Sequence, residues 1–307
     1  MCCLFGILDY GNSLSDRQKK KLLSVLSVAC EVRGTDATGI AYRTGNTLCV
    51  YKRPLPAHRL HFRVPAETQY IMGHTRMTTQ GSEKHNFNNH PFVGQAGGMP
   101  FALAHNGVLR NDKTLRETEQ LPATKIETDS YIAVQLIEQY GNLSFDALRH
   151  TAESVRGSFN FTVLDGANHL YIVKGSNPFC LYHWRKHGLY LYASTEEILQ
   201  TALRRLPFSL GRPEKIALKE GDMLRIDPDG CRSMEQFEPQ YYYGMPFPYY
   251  QPYGYSLWDM DPAQDGYVNE LKSVASAFGY TPEDIDWLIR EGISPEEIEE
   301  YFYSGEL

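Results

Sequence analysis

Hydrophobic positions along the first 235 residues follow two periods. Cys3-Leu-Phe-Gly-Ile-Leu8 is an apolar run that reads as a short strand starting almost at the beginning of the chain. Ser15 with Asp16 then opens a helix whose apolar positions, Leu22, Leu23, Leu26, Ala29 and Cys30, recur at helical spacing. Further strand-like runs fall at Thr47–Tyr51, Tyr70–Gly73, Phe101–Ala104, Phe159–Leu164, Leu170–Val173 and Leu189–Tyr192. Helices are predicted from Asp129 to about Tyr140 and near Phe145–Val155. Many strands with few, clustered helices indicate an α+β layered domain rather than a doubly wound sheet.

The pattern breaks after residue 235. Between Tyr241 and Tyr255 there are seven tyrosines, three prolines and two glycines, a composition that denies the stretch a helix or a central strand. Beyond it, Asp261-Pro262 signals a helix running to about Phe278. A short motif then occurs twice, Gly279-Tyr-Thr-Pro-Glu-Asp-Ile-Asp and Gly292-Ile-Ser-Pro-Glu-Glu-Ile-Glu. In each, Thr281 or Ser294 caps, proline takes the first helical position, and the acids complement the positive helix end. Three units are therefore expected: a main domain over 1–235, a Tyr/Pro-rich linker over 236–258, and an acidic short-helix extension over 259–307.

Charge supports that division. Residues 259–307 hold 13 acidic and two basic side chains, a net of −11, which leaves residues 1–258 at +4 within a whole-chain charge of −7. A negative total argues against a dedicated nucleic-acid binder. No run approaches the roughly 18 apolar residues that would span a bilayer, and Asp9 interrupts the N-terminal apolar run too early for a secretory signal. Six cysteines without metal-like spacing fit a reduced, cytoplasmic protein. The Lys19-Lys-Lys21 run reads as the solvated face of the first helix.

Candidate chemistry begins at the start of the chain. Loss of Met1 would make Cys2 the terminal residue, placing a thiol and an α-amine of pKa about 7.7–8.0 in the same residue, so that the amine serves as general base for the thiol. Taken alone, such a cysteine is only a small apolar residue. Its company is more specific: Arg33-Gly-Thr-Asp-Ala-Thr-Gly39 as a Gly-bounded loop, Gly73-His-Thr-Arg-Met-Thr-Thr-Gln-Gly81, Asn88-Asn-His-Pro91, Ala104-His-Asn-Gly-Val108 and Ile126-Glu-Thr-Asp129. With Cys2-Cys-Leu-Phe-Gly-Ile7 ahead of them, these segments resemble, in order, the motifs of the class II glutamine amidotransferases, as in the glutaminase domain of glucosamine-6-phosphate synthase. The resemblance continues through Arg156-Gly-Ser-Phe159, Gly175-Ser-Asn-Pro178, Ala193-Ser-Thr195 and Lys219-Glu-Gly-Asp222, so it covers about residues 2–235.

The resemblance implies the four-layer αββα sandwich of the N-terminal-nucleophile hydrolases, with the short helices as a C-terminal extension. It also implies roles. Cys2 attacks the side-chain amide of L-glutamine and forms a thioester; Asn106 and Gly107 form the oxyanion hole; Arg76 grips the α-carboxylate and Asp129 the α-ammonium; Thr79 touches substrate; Arg33 positions the N-terminal residue. No metal or other cofactor is required. Each residue has a plainer alternative: Arg76 as a surface ion-pair residue, Asp129 as a helix cap, Asn106-Gly107 as a turn, and His74, His90 and His105 as structural. Cys3 stands where the family has glycine and leaves open which thiol reacts, although alignment through Leu4-Phe5-Gly6 favours Cys2. Met77, Gln80 and Phe92 also depart from the family pattern.

Residues 236–307 are too few for a synthase domain that would consume ammonia, and they carry no phosphate loop. A stand-alone glutaminase that serves a separate acceptor synthase, or that works within a homo-oligomer, is therefore expected. A hydrolase for another γ-glutamyl amide and a silent binding module of the same fold are the alternatives.

Overall fold

The computed structural model describes residues 2–240, 268, 271, 272, 275, 280–291, 293, 295 and 298. The apolar run at the start becomes β1 (Cys3–Asp9), buried along its whole length. Successive side chains of a strand point to opposite faces. Cys3, Phe5 and Ile7 accordingly meet α1 (Asp16–Ala29), while Leu4 and Leu8 enter the interior between two sheets.

The chain then alternates as the apolar pattern demands. After α1 come β2 (Ala37–Thr44), β3 (Thr47–Arg53), β4 (Tyr70–Arg76), β5 (Phe92–Ala96) and β6 (Met99–Leu109). Helices α2 (Asp112–Thr118), α3 (Tyr131–Tyr140) and α4 (Phe145–Ser154) follow, then β7 (Gly157–Asp165), β8 (Leu170–Lys174), β9 (Cys180–Trp184) and β10 (Leu189–Ala193). The body closes with α5 (Glu196–Arg204), β11 (Glu214–Ile216), β12 (Asp222–Ile226) and β13 (Arg232–Gln236), and α6 (Pro282–Arg290) lies near the C-terminus.

Every strand pairing is antiparallel. One sheet has seven strands in the order β11-β9-β10-β1-β4-β2-β3, and the other has six in the order β13-β12-β8-β7-β6-β5. Leu4, Met72, Ala102, Ala104, Leu164 and Ile172 pack between the sheets. The outer face of the first sheet carries α1 and α5 through Leu22, Leu26, Ile198 and Leu199. The outer face of the second carries α3 and α4 through Val134, Leu136, Leu148 and Ala152. Four layers result, helix-sheet-sheet-helix, because each amphipathic helix has one apolar face to cover and each sheet has two.

Local signals explain the boundaries. Ser15 and Gln18 cap α1 reciprocally, Ser144 caps α4 and Thr195 caps α5, and α3 ends at Gly141 in the left-handed region. The solvated basic run expected at 19–21 needs correction at its first residue. Lys19 is buried, with its ammonium donating to the carbonyls of Ala66 and Thr68 and lying 3.5 Å from the Asp9 carboxylate. The loop expected at 33–39 is already strand from Ala37, held by pairing of Ala37 with Arg76. Gly39 lies within that strand, and it is glycine because a Cβ there would come 2.1 Å from the His90 carbonyl oxygen.

In the C-terminal extension, α6 is capped by Thr281 and Asp284 with Pro282 at its first position. The linker from residue 241 onward, and most of the helices expected at 261–278 and after Ser294, lie outside the described residues. Among the described residues no helix is long and apolar enough to cross a membrane.

Candidate active site

Strand register assembles the first half of the site. Cys3 pairs with Thr75 across β1 and β4, and Ala37 pairs with Arg76 across β2 and β4. Cys2, Asp36 and Arg76 therefore meet at one end of the seven-stranded sheet. The Cys2 thiol donates to the Met77 carbonyl at 3.5 Å. Arg33, buried at the end of the first helical segment, donates through Nε to the Cys2 carbonyl at 3.0 Å. Asp36 ties the strand to the next loop, its amide donating to the Arg76 carbonyl at 2.9 Å and its carboxylate accepting the Thr78 amide at 2.7 Å.

Arg76 is buried. Its guanidinium donates to Asn89 Oδ1 at 2.7 Å and to the carbonyls of Gln80 and Gly81 at 2.6 and 3.2 Å. Burial lowers its pKa, and the charges of Cys2, Asp36, Glu83 and Asp129 act in the opposite direction. The surface ion-pair alternative for Arg76 is thereby removed. Thr79 stands exposed on the loop that follows.

The second half comes from the six-stranded sheet. Leu4 pairs with His74, and His74 Nε2 donates to the His105 carbonyl at 2.9 Å, carrying the contact from β1 through β4 to β6. Asn106 is next in β6. Its side chain is fully buried and neither Oδ1 nor Nδ2 has a hydrogen-bond partner, while its carbonyl accepts from Asn177 Nδ2 at 2.9 Å. Gly107 has φ of 141°, and a Cβ there would come 2.1 Å from the Ser158 carbonyl oxygen, so only glycine fits this bend beside Asn106.

Asp129 lies two residues before α3; Ser130, between them, has helical dihedrals and makes no side-chain capping bond. Its carboxyl accepts the Leu109 amide at 2.6 Å and the Ser130 hydroxyl at 3.3 Å. Burial, with Asp112 adding to it, pushes its pKa up to about 6. The histidines His74 and His105 are held neutral, burial taking each down to about 3. His90 stacks beside His74 at 4.2 Å between ring centroids and is likewise held neutral by burial.

Strand alternation separates the two adjacent thiols. Cys3 is fully buried against α1 with Cys30, while Cys2 is half-exposed beside Met77. Three residues that hold the site, Asp36, Asn89 and Asn177, carried no role in the sequence reading. Each lies in a quoted motif, but its partner is distant in sequence and shows itself only in the fold. The assembled groups present a thiol, an unfilled amide beside a glycine amide, and one fixed charge of each sign. That is the set needed to bind a free amino acid and attack a carbonyl.

Residues 34–227 match the family of class-II glutamine amidotransferases. Glutamine–fructose-6-phosphate aminotransferase of Bacillus licheniformis is 34% identical over 181 residues, covering 56% of this chain and 29% of that protein. The enzyme of the same name from Sulfolobus acidocaldarius is 32% identical over 190 residues, 58% of this chain and 31% of its own length. The chain thus aligns with under a third of the length of these relatives. A solved structure of glutamine phosphoribosylpyrophosphate amidotransferase from B. subtilis, complexed with ADP and GMP, superposes with a TM-score of 0.61 at 19% identity, covering 77% of this chain and 49% of that one. That likeness concerns the fold, the helix-sheet-sheet-helix sandwich.

Proposed function

The chain belongs to the class-II glutamine amidotransferases, and on that premise we propose that it hydrolyses the side-chain amide of L-glutamine with Cys2 as nucleophile. After loss of Met1, the α-amine of Cys2 takes the thiol proton and the thiolate attacks the amide carbon. The carbonyl oxygen gains the negative charge and is held by the Asn106 side-chain amide and the Gly107 N–H, donors typically worth about 10²–10³ in rate. Collapse of this adduct breaks the C–N bond, and the terminal ammonium gives its proton to the departing ammonia. Water then attacks the γ-glutamyl thioester, yielding glutamate and restoring the thiol.

Recognition of the substrate follows from the buried charges. A guanidinium has five N–H donors; the loop and Asn89 occupy three of those on Arg76, which leaves two for an α-carboxylate. Asp129 supplies the opposite charge for the α-ammonium. Arg33 acts by holding the Cys2 carbonyl, and Thr79 contacts substrate from the loop. In this reading residues 1–235 form the glutaminase domain, 236–258 a linker and 259–307 an extension, and the ammonia serves a separate acceptor enzyme.

The buried, partnerless amide of Asn106 beside Gly107 carries the proposal. Such a group is costly to keep empty, and an arriving oxyanion would pair with its N–H. The test is Cys2→Ala, which is expected to abolish ammonia release from glutamine. A diazoketone analogue of glutamine is expected to add its mass to the wild-type chain lacking Met1, and not to the variant. Full turnover by Cys2→Ala would overturn the assignment.

A further inference from the structure

We propose that the C-terminal helical extension is a working part of the glutamine site, with Met77 as the positioning residue through which it acts. This rests on the reading of the Cys2 site as a glutamine site. Leu271, Ala275, Ile285, Leu288 and Ile298 form an apolar cluster of their own, and the partly buried side chain of Met77 packs against it. The cluster belongs to the extension; Met77 belongs to the loop after β4, directly behind Arg76. Lys272 pairs with Asp286 at 2.5 Å and so joins the stretch before α6 to α6 itself.

Met77 takes part in two sets of contacts. Its carbonyl accepts the Cys2 thiol, so the residue that the extension grips is the one the nucleophile touches. Polar bonds also hold the loop: Arg76 to the carbonyls of Gln80 and Gly81, Thr78 to Asp36, and Gln80 Nε2 to the Glu127 carbonyl at 2.9 Å. The side chain of Met77 packs on the apolar cluster of the extension. Methionine suits this place because an unbranched, flexible side chain fills an irregular apolar seat without dictating its shape. A seated Met77 fixes the backbone between Arg76 and Thr78, and with it the direction in which the guanidinium faces the substrate. Binding energy depends on such preorganisation.

The consequence is separable from overall folding. An extension that positions the loop governs glutamine affinity more than the chemical step, because the oxyanion donors sit on the other sheet. In the full-length chain, Leu288→Asp places a charge in the cluster without touching any residue of the site. It is expected to raise the KM for glutamine about tenfold, the equivalent of 1.4 kcal/mol, with kcat little changed. Met77→Ala is expected to do the same, and Met77→Leu to restore wild-type KM. Mere loss of folded protein would lower apparent kcat and leave KM alone. Amide hydrogen exchange gives a readout that needs no turnover: the amides of residues 76–81 are expected to exchange faster in Leu288→Asp than in wild type.

An unchanged or lowered KM in Leu288→Asp, together with unchanged exchange at 76–81, would overturn the inference. A wild-type chain that releases no ammonia would overturn the glutaminase reading instead, and the exchange measurement would still decide whether the extension holds the loop.

Discussion

The two rims of the candidate site are built in opposite ways. On the seven-stranded sheet three charged groups are tied to neighbouring atoms: Arg33 to the Cys2 carbonyl, Asp36 to the Thr78 amide, Arg76 to Asn89 and two loop carbonyls. On the six-stranded sheet the Asn106 amide is buried with nothing bonded to it, and the Asp129 carboxyl, bonded to the Leu109 amide and the Ser130 hydroxyl, is held at a pKa of about 6. The tied rim is a scaffold that fixes positions. The bare rim holds interaction capacity in reserve, which costs about 1–3 kcal/mol for an unfilled buried amide.

The sharpest way to break this contrast is to truncate one residue from each rim. Asn106→Ala removes a donor that the folded protein itself does not use. It is expected to lower kcat for glutamine hydrolysis by about 10²–10³, while the thermal midpoint stays level or rises. Parallel measurement of ammonia release and thermal unfolding checks both halves. A marked loss of stability would mean that Asn106 is structural and that the contrast between the rims is wrong.

Asn89→Ala tests the tied rim. It deletes a charge-assisted bond to the Arg76 guanidinium, of a kind worth about 1.5–3 kcal/mol. The expected result is a KM for glutamine raised about tenfold to hundredfold, with a smaller fall in kcat, together with some loss of stability. Steady-state kinetics beside the same unfolding assay distinguish this from the Asn106 outcome, in which kcat falls and stability does not.

How far the sequence foretold these rims follows the same division. Local signals announced α1 through Ser15 and α6 through Thr281-Pro282, and short apolar runs marked β1, β4, β6, β7, β8 and β10. The motifs around Arg76, Asn106 and Asp129 were visible for the same reason: the residues that carry chemistry cluster in short segments. What stayed hidden was long-range satisfaction. Lys19 sits in a basic run that looks solvated, yet β1 and the chain near Thr68 close over it. Gly39 looked like the end of a loop, whereas it is a strand residue made small by the His90 carbonyl. Asn89 and Asn177 bond partners 13 and 71 residues away in sequence. No local period encodes those pairings; they exist only once the sheets are stacked. The packing of Met77 on the extension belongs to the same class.

Asp129 offers the gentlest probe, because pH alters it without mutation. Its carboxyl is raised from the ordinary value to about 6, chiefly by burial. Above that pH it carries the charge that an α-ammonium needs, and below it the acid is neutral. The amino and carboxyl groups of glutamine do not titrate between pH 5 and 7, so any change of affinity in that window comes from the protein. Glutamine binding is therefore expected to weaken as pH falls through 6, by about tenfold at pH 5, where roughly one Asp129 in ten remains ionised. Calorimetric titration of the Cys2→Ala variant with glutamine separates binding from turnover. Asp129→Asn, which has no charge to lose, is expected to bind weakly and with no pH dependence across the window. If the Cys2→Ala chain binds equally well at pH 5 and pH 7, the α-ammonium contact lies elsewhere and the bare rim reduces to Asn106 and Gly107.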